Sequence, residues 1–218
     1  MKKPLTKLQE EVLQSFFAQP IGKSYFLTGG TALSGFYFYH RKSIDLDLFT
    51  FEPIEIEPVR QVFGAIATKN SLSLDHRVAT EGYHKFFLTG KKKELKIDLV
   101  KEQKVNFGKI KTFGKIRVDS VENIGSNKIT AIFNRTEAKD FIDLYLILRK
   151  RLFSFQKLFQ DAKKKDLGLN EFYLAHMLLE VKNLKNFPKM FVSFNKDEME
   201  NYFVSLANNL LLKLEPRE

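Results

Sequence analysis

Residues 26–50 read FLTGGTALSGFYFYHRKSIDLDLFT, and this stretch decides the fold. A short apolar run, Tyr25 to Leu27, leads into Gly29-Gly30-Thr31, and a second apolar run carries Asp45 and Asp47. The first run reads as a buried strand, Thr31 to Tyr39 as a helix and Ile44 to Phe51 as a second strand, although Phe36 to Tyr39 suit a strand on local propensity. On a strand, positions i and i+2 share a face, so Asp45 and Asp47 point the same way. Carboxylates placed together repel and need compensation. The usual agent is a divalent cation such as Mg²⁺, held by one or two carboxylates and by substrate phosphates. The glycines supply the other half of such a site. They let backbone N–H groups approach phosphate oxygens at a helix N-terminus, where the dipole favours anions. The combination points to nucleotide chemistry. The plainer alternatives are a tight turn at the glycines, an N-cap at Thr31 and two ordinary acids on a wet strand face.

Working outward, Leu95 to Val100 alternates, with Ile97 and Leu99 on one face and Lys96 and Asp98 on the other. If this strand pairs with the Asp45–Asp47 strand, Asp98 joins the pair. Three carboxylates can hold two metals that clamp the attacking and leaving oxygens of a phosphoryl transfer. Asp98 is then a general base or the ligand of the metal that activates the attacking hydroxyl. Alternatively, Lys96 and Asp98 are the solvent face of an edge strand. Arg41 suits a bidentate contact to a triphosphate, or a dipole-favoured cation at a helix C-terminus. Ser43 lies beside it, just ahead of the acid pair. Lys139 and Asp143 are i and i+4 on one helix, which on helix geometry alone reads as a surface ion pair. His40, His76, His84 and His176 have no metal-ligand spacing.

The rest of the chain gives a strand-rich first part and a helical second part. Helices are expected over Leu5 to Phe17 and Glu57 to Ala67, and strands over Ser71 to Arg77, Tyr83 to Thr89, Glu94 to Val100 and Ile110 to Val118. Lys91 to Lys93 read as a hairpin tip. Beyond Val118, Asp119 or Ser120 caps a helix to Phe133 and Thr136 caps one to Lys150. Further helices cover Ser154 to Lys165, Asn170 to Leu184 and Asp197 to Leu214. The expected architecture is α+β: a mixed sheet with flanking helices over 1–118, then a helical lobe over 119–218, with the nucleotide in the cleft they form.

These residues resemble a known family. The order G-G-T-A-L, then R-x-S-x-D-x-D-L-F, then the Asp98 strand, then Lys128 to Arg135 and Lys139-Asp140-Phe141-Ile142-Asp143-Leu144, is similar to the DNA polymerase β-like nucleotidyltransferase superfamily. Within it the match is to the AbiEii/AbiGii-type toxin group, which includes the MenT toxins. The resemblance runs over residues 25–148 and leaves the C-terminal third without a motif. It implies transfer of a nucleoside monophosphate from an NTP to an acceptor hydroxyl, with release of pyrophosphate. It implies Asp45, Asp47, Asp98 and Lys139 as catalytic residues. The three aspartates would be ligands of a two-metal Mg²⁺ site, with Mn²⁺ as an alternative ion. Nucleotide contacts would come from Gly29, Gly30, Thr31, Arg41, Ser43, Lys128, Arg135 and Asp143, and the K-D-x-x-D helix would face the nucleotide. The acceptor would be the 3′ end of tRNA or a protein, and the chain the toxin of a toxin–antitoxin or abortive-infection system with a cognate antitoxin. The alternative is a non-catalytic nucleotide- or RNA-binding module of the same fold.

Composition sets outer limits. The chain has 218 residues and 44% hydrophobic content, including 22 phenylalanines, enough for a sizeable core. It has no cysteine, which excludes disulfides and thiolate metal sites and suits the cytoplasm. No run approaches the ~20 apolar residues of a membrane span. The net charge of +10 suits a polyanionic partner such as RNA or an acidic antitoxin, or simply a soluble lysine-rich surface.

Overall fold

The computed structural model describes residues 4–91 and 93–213; Lys92 of the expected hairpin tip and Leu214 of the last expected helix lie outside them. The chain divides into two compact units, Met1–Ser120 and Val121–Glu218.

The first unit opens with α1 (Lys7–Ala18), which begins at a capping box: the Thr6 side chain accepts from the Gln9 N–H, and the Gln9 side chain accepts from the Thr6 N–H. Strand β1 (Tyr25–Thr28) runs directly into α2 (Gly29–Ala32). The helical path then widens into a π-helical turn over Leu33–Phe38 and stops at Tyr39, whose φ of 53° is left-handed. The helix expected over Thr31 to Tyr39 is therefore present in two geometries. Single π-helical turns of this kind are frequent at functional sites. Next come β2 (Asp45–Thr50), α3 (Ile56–Lys69), β3 (Ser73–Ala79), β4 (Tyr83–Gly90) and β5 (Lys93–Lys101). The single strand expected over Ile110 to Val118 is a short hairpin, β6 (Lys111–Phe113) and β7 (Ile116–Val118). Gly114 breaks it, at a φ of 61° that glycine adopts without strain.

These strands form one seven-stranded mixed sheet in the order β3-β4-β5-β2-β1-β7-β6. Leu46, Leu48, Phe86, Leu88, Leu95, Ile97 and Leu99 are buried on one face. Helices α1 and α3 pack there. Phe63 of α3 stacks on Phe16 of α1 at 5.7 Å and meets Phe86 of β4 edge-on at 5.3 Å. Such aromatic pairs add to the stabilisation from burial alone.

The second unit is helical: α4 (Val121–Asn134), α5 (Ala138–Arg149), α6 (Phe155–Lys165), α7 (Glu171–Leu179) and α8 (Lys196–Leu212). Ser154, Asn170 and Asn195 each cap the helix that follows through a side-chain oxygen. Helix α7 is shorter than the sequence pattern suggested, because Glu180–Asn183 tighten into a 3₁₀ turn. Phe141 meets Phe203 edge-on at 5.2 Å in the core of this unit. Among the described residues no helix is long and apolar enough to cross a membrane.

Two glycines give opposite stability predictions. A Cβ at Gly22 would lie 2.6 Å from the Phe16 carbonyl oxygen and 2.7 Å from Phe17 Cα, neither of which can rotate away. Gly22→Ala should therefore cost about 1–3 kcal/mol. At Gly64, inside α3, no atom beyond its chain neighbours and the helix's own nearby backbone stands within 4 Å of the added methyl. Gly64→Ala should stabilise by about 0.4–1 kcal/mol. Urea unfolding of the two variants measures both.

Candidate functional site

The site follows from strand register. Strand β2 lies between β1 and β5, antiparallel to β1 with Thr28 level with Asp47, and parallel to β5 with Asp45 level with Lys96 and Asp47 level with Asp98. Residues level on neighbouring strands share a face. Asp45, Asp47, Asp98 and Lys96 therefore stand together, on the face opposite Leu46, Leu48, Ile97 and Leu99. The alternation that buries the apolar set dictates this grouping.

The glycine turn meets the acids at one end. Thr28 ends β1 beside Asp47, and Gly29 follows with a φ of 68°. A Cβ at residue 29 would collide with the Asp47 carboxylate. Glycine suits the position on both counts: it adopts the left-handed backbone without strain and leaves room for the close approach of Asp47. The turn is also anchored from below. The Thr28 hydroxyl donates to Asp119 Oδ2 at 2.6 Å, and Asp119 is fully buried, with its Oδ1 accepting from the Ser120 N–H at 2.8 Å. Thr31 is buried, its hydroxyl bonded to the Ser43 hydroxyl at 2.7 Å and to the Asp45 backbone carbonyl. These two residues thus tie α2 to the start of β2. Gln9 helps from the other side, its amide donating to the Ser43 carbonyl at 3.2 Å. Arg41 is buried and donates to the Lys42 carbonyl at 3.1 Å.

Lys96 compensates the crowded negative charge. Its ammonium is 3.3 Å from Asp45 Oδ2 and 2.9 Å from Asp98 Oδ2. Burial works against that charge, but the hydrogen bond to Asp98 and the fields of Asp45, Asp98 and Asp47 outweigh it and hold the ammonium above the ordinary lysine range. The other Asp98 oxygen accepts from the Tyr83 hydroxyl at 3.0 Å. Among the described residues no three histidine or acidic side chains converge closely enough to hold one ion as they stand. The hard carboxylate oxygens suit a divalent cation in kind. The position between Asp45 and Asp98, however, is taken by an ammonium.

The K-D-x-x-D helix lies in the second unit and is wired differently from the sequence expectation. The cation paired with Asp143 is Lys128 of α4, not Lys139. Lys128 is buried, with Nζ 2.6 Å from Asp140 Oδ1 and 2.8 Å from Asp143 Oδ2, and both aspartates are fully buried. Arg135 adds a contact to Asp140 Oδ2 at 2.9 Å. Lys139 sits in the first turn of α5, pairs with Glu137 at 2.8 Å and reaches solvent. An i,i+4 spacing permits a pair but does not choose it over a buried partner on another helix.

Sequence reading missed Tyr83, Gln9 and the buried role of Asp119, and saw Lys96 only as a solvent-face residue. Tyr83 and Lys96 become visible once the β4–β5–β2 register is known. Gln9 carried a local signal, the T-x-x-Q capping box.

The buried network predicts acid-sensitive stability. Burial alone would raise the Asp140 pKa, but Lys128 and Arg135 hold it below its ordinary 3.8. A depressed carboxyl pKa contributes stability that is fully present above the unfolded-state value and is lost as pH falls through the folded-state value. Unfolding midpoints should therefore drop as pH falls below about 4. Lys128→Met leaves two buried carboxylates without their ammonium and should cost about 3–5 kcal/mol at neutral pH. Lys139→Ala should cost under about 1 kcal/mol. Denaturant titrations of the two variants against pH check all three.

No curated protein matches the chain at a significant level. Solved structures do match, among them the following two. A candidate nucleotidyltransferase from H. pylori superposes with a TM-score of 0.63 at 20% identity, covering 97% of this chain and 96% of that one. JHP933 from Helicobacter pylori superposes with a TM-score of 0.59 at 20% identity, covering 95% and 90%. At that identity the likeness establishes the fold. Family membership comes from the sequence: the family model described as nucleotidyl transferase AbiEii toxin, type IV toxin–antitoxin system, matches residues 11–203. That span includes the glycine turn, all three acids on the sheet face and the K-D-x-x-D helix, and the chain belongs to this AbiEii nucleotidyltransferase toxin family.

Proposed function

We propose that this toxin-family nucleotidyltransferase transfers a nucleoside monophosphate from an NTP to a hydroxyl of an RNA acceptor, the 3′ end of tRNA being the reading we favour. One observation carries the proposal: the Gly29 turn is packed against Asp47, with Asp45 and Asp98 on the same face. A phosphate needs close-approaching backbone N–H groups, and phosphoryl transfer needs carboxylates facing them. The net charge of +10 favours a polyanionic acceptor over a protein. The setting is the cytoplasm, and the type IV toxin–antitoxin class of the family supplies the expectation of a cognate antitoxin.

In this reading the N–H groups of Gly29 and Gly30 receive phosphate oxygens. Thr31, Ser43 and Arg41 keep the turn and the start of β2 in place, since their polar groups are held within the fold. Asp45 and Asp47 would hold Mg²⁺, or Mn²⁺, with Asp98 as the third candidate ligand. Such a cation, when bound, would supply charge neutralisation at the phosphates and a lower pKa for the acceptor hydroxyl. The acceptor oxygen attacks the α-phosphorus, its proton passes to Asp98, and the bond to the pyrophosphate oxygen breaks. Tyr83 holds one Asp98 oxygen in place. On the K-D-x-x-D helix, Lys128 is committed to Asp140 and Asp143, so the solvent-reaching Lys139 is the cation of this helix to which we give a catalytic role, with Arg135 as a weaker contributor. Asp143 then acts through Lys128, by holding the helix.

A second reading, a nucleotide-binding module without turnover, draws on the ammonium lodged between Asp45 and Asp98. Incubation with each α-labelled NTP, Mg²⁺ and separate tRNA and protein pools decides between the two. Label in tRNA is the expected result; nucleotide binding without label in either pool supports the module. Asp47→Asn should lower transfer by at least about 100-fold. Its melting midpoint should hold or rise, because carboxylate repulsion is relieved. Lys139→Ala should lower transfer by roughly 100-fold with the fold intact. Full activity in Lys139→Ala would confine the catalytic groups to the first unit.

A further inference from the structure

The position of Lys96 has a consequence for metal entry, which rests on the reading that the acidic face takes a divalent cation. Three carboxylates and one ammonium occupy the four positions set by the Asp45–Lys96 and Asp47–Asp98 register. The ammonium contacts one oxygen each of Asp45 and Asp98, and the remaining Asp98 oxygen is held by Tyr83. A divalent cation drawing on Asp45 and Asp98 would need oxygens that Lys96 now holds. Two cations cannot share them at close range without repulsion, which is strong where the surroundings are partly desolvated. The Lys96 side chain is 30% exposed, so it has an open direction in which to swing. Lysine suits this use, with a compact charge on a flexible stem of rotatable bonds.

We propose that Lys96 is a displaceable counter-cation: it balances Asp45 and Asp98 while the face is metal-free, and a divalent cation must evict its ammonium to bind. The nucleotide-free protein consequently binds such cations weakly. Metal loads well only with a nucleotide, whose phosphates supply additional ligands and a new anionic partner for the displaced ammonium. Lys96 is thus a positioning residue that couples metal loading to nucleotide arrival.

The test titrates Mn²⁺ into nucleotide-free protein and follows the free Mn²⁺ signal by electron paramagnetic resonance. Lys96→Met and Lys96→Gln should bind Mn²⁺ at least about tenfold more tightly than wild type, equivalent to about 1.4 kcal/mol. Lys96→Arg, which keeps the charge, should stay as weak as wild type. Thermal unfolding adds a check on folding: Lys96→Met and Lys96→Gln should melt below wild type in chelator and gain more from added Mn²⁺. Equal Mn²⁺ affinity in wild type and both neutral variants, or no binding in either variant, overturns the proposal. Asp47→Asn distinguishes the two levels. If it abolishes Mn²⁺ binding while the Lys96 variants match wild type, the acidic face stands and the counter-cation role falls. If Asp47→Asn binds like wild type, the ion lies elsewhere and both fall.

Discussion

The first unit is organised around carboxylate crowding on one face of a sheet. Asp45 and Asp47 share that face because they are two apart on β2, and Asp98 joins them because β5 runs parallel beside β2 in the register that buries Leu46, Leu48, Ile97 and Leu99. A one-residue slip would exchange the two sets and place the acids in the core. The hydrophobic effect that builds the core therefore also fixes the polar group opposite it. What remains is to balance the charge, and the Lys96 ammonium lies against Asp45 and Asp98 to do so.

The parts around the acids serve to hold them still. Thr28 is tied to a fully buried Asp119, Thr31 to Ser43 and the Asp45 carbonyl, and Gln9 to the Ser43 carbonyl. Each links a different element to the start of β2 or to the turn before Gly29. A site of this kind depends on such support, because phosphoryl transfer is mostly positioning and charge stabilisation. Gly29 is a close point, where the left-handed backbone disfavours a side chain and a Cβ would meet the Asp47 carboxylate.

The second unit uses charge for a different end. Lys128, Asp140 and Asp143 form a buried cluster on α4 and α5, with Arg135 reaching it from the surface. Breaking such a cluster is costly because it leaves uncompensated buried charge, whatever the net worth of the intact pairs. The family-matching positions of this segment thus include residues that hold two helices together, alongside the solvent-reaching Lys139. A motif that matches a family by residue type does not by itself separate these roles.

The sequence alone determined the α+β class, most strand and helix positions, the glycine turn, the acid pair and the family. All are local signals: apolar alternation, the i and i+2 spacing, helix caps and the breaking power of glycine and proline. Tertiary structure decided the partners. Lys96 became the counter-ion of Asp45 and Asp98, and Tyr83 the partner of Asp98, only once β5 had β2 on one side and β4 on the other. Lys128 rather than Lys139 took Asp143, because packing α4 on α5 removed Lys128 from water and required two carboxylates to meet it. Backbone propensity is written residue by residue, whereas the pairing of charges depends on which side chains lose their water together. Only the folded chain settles that.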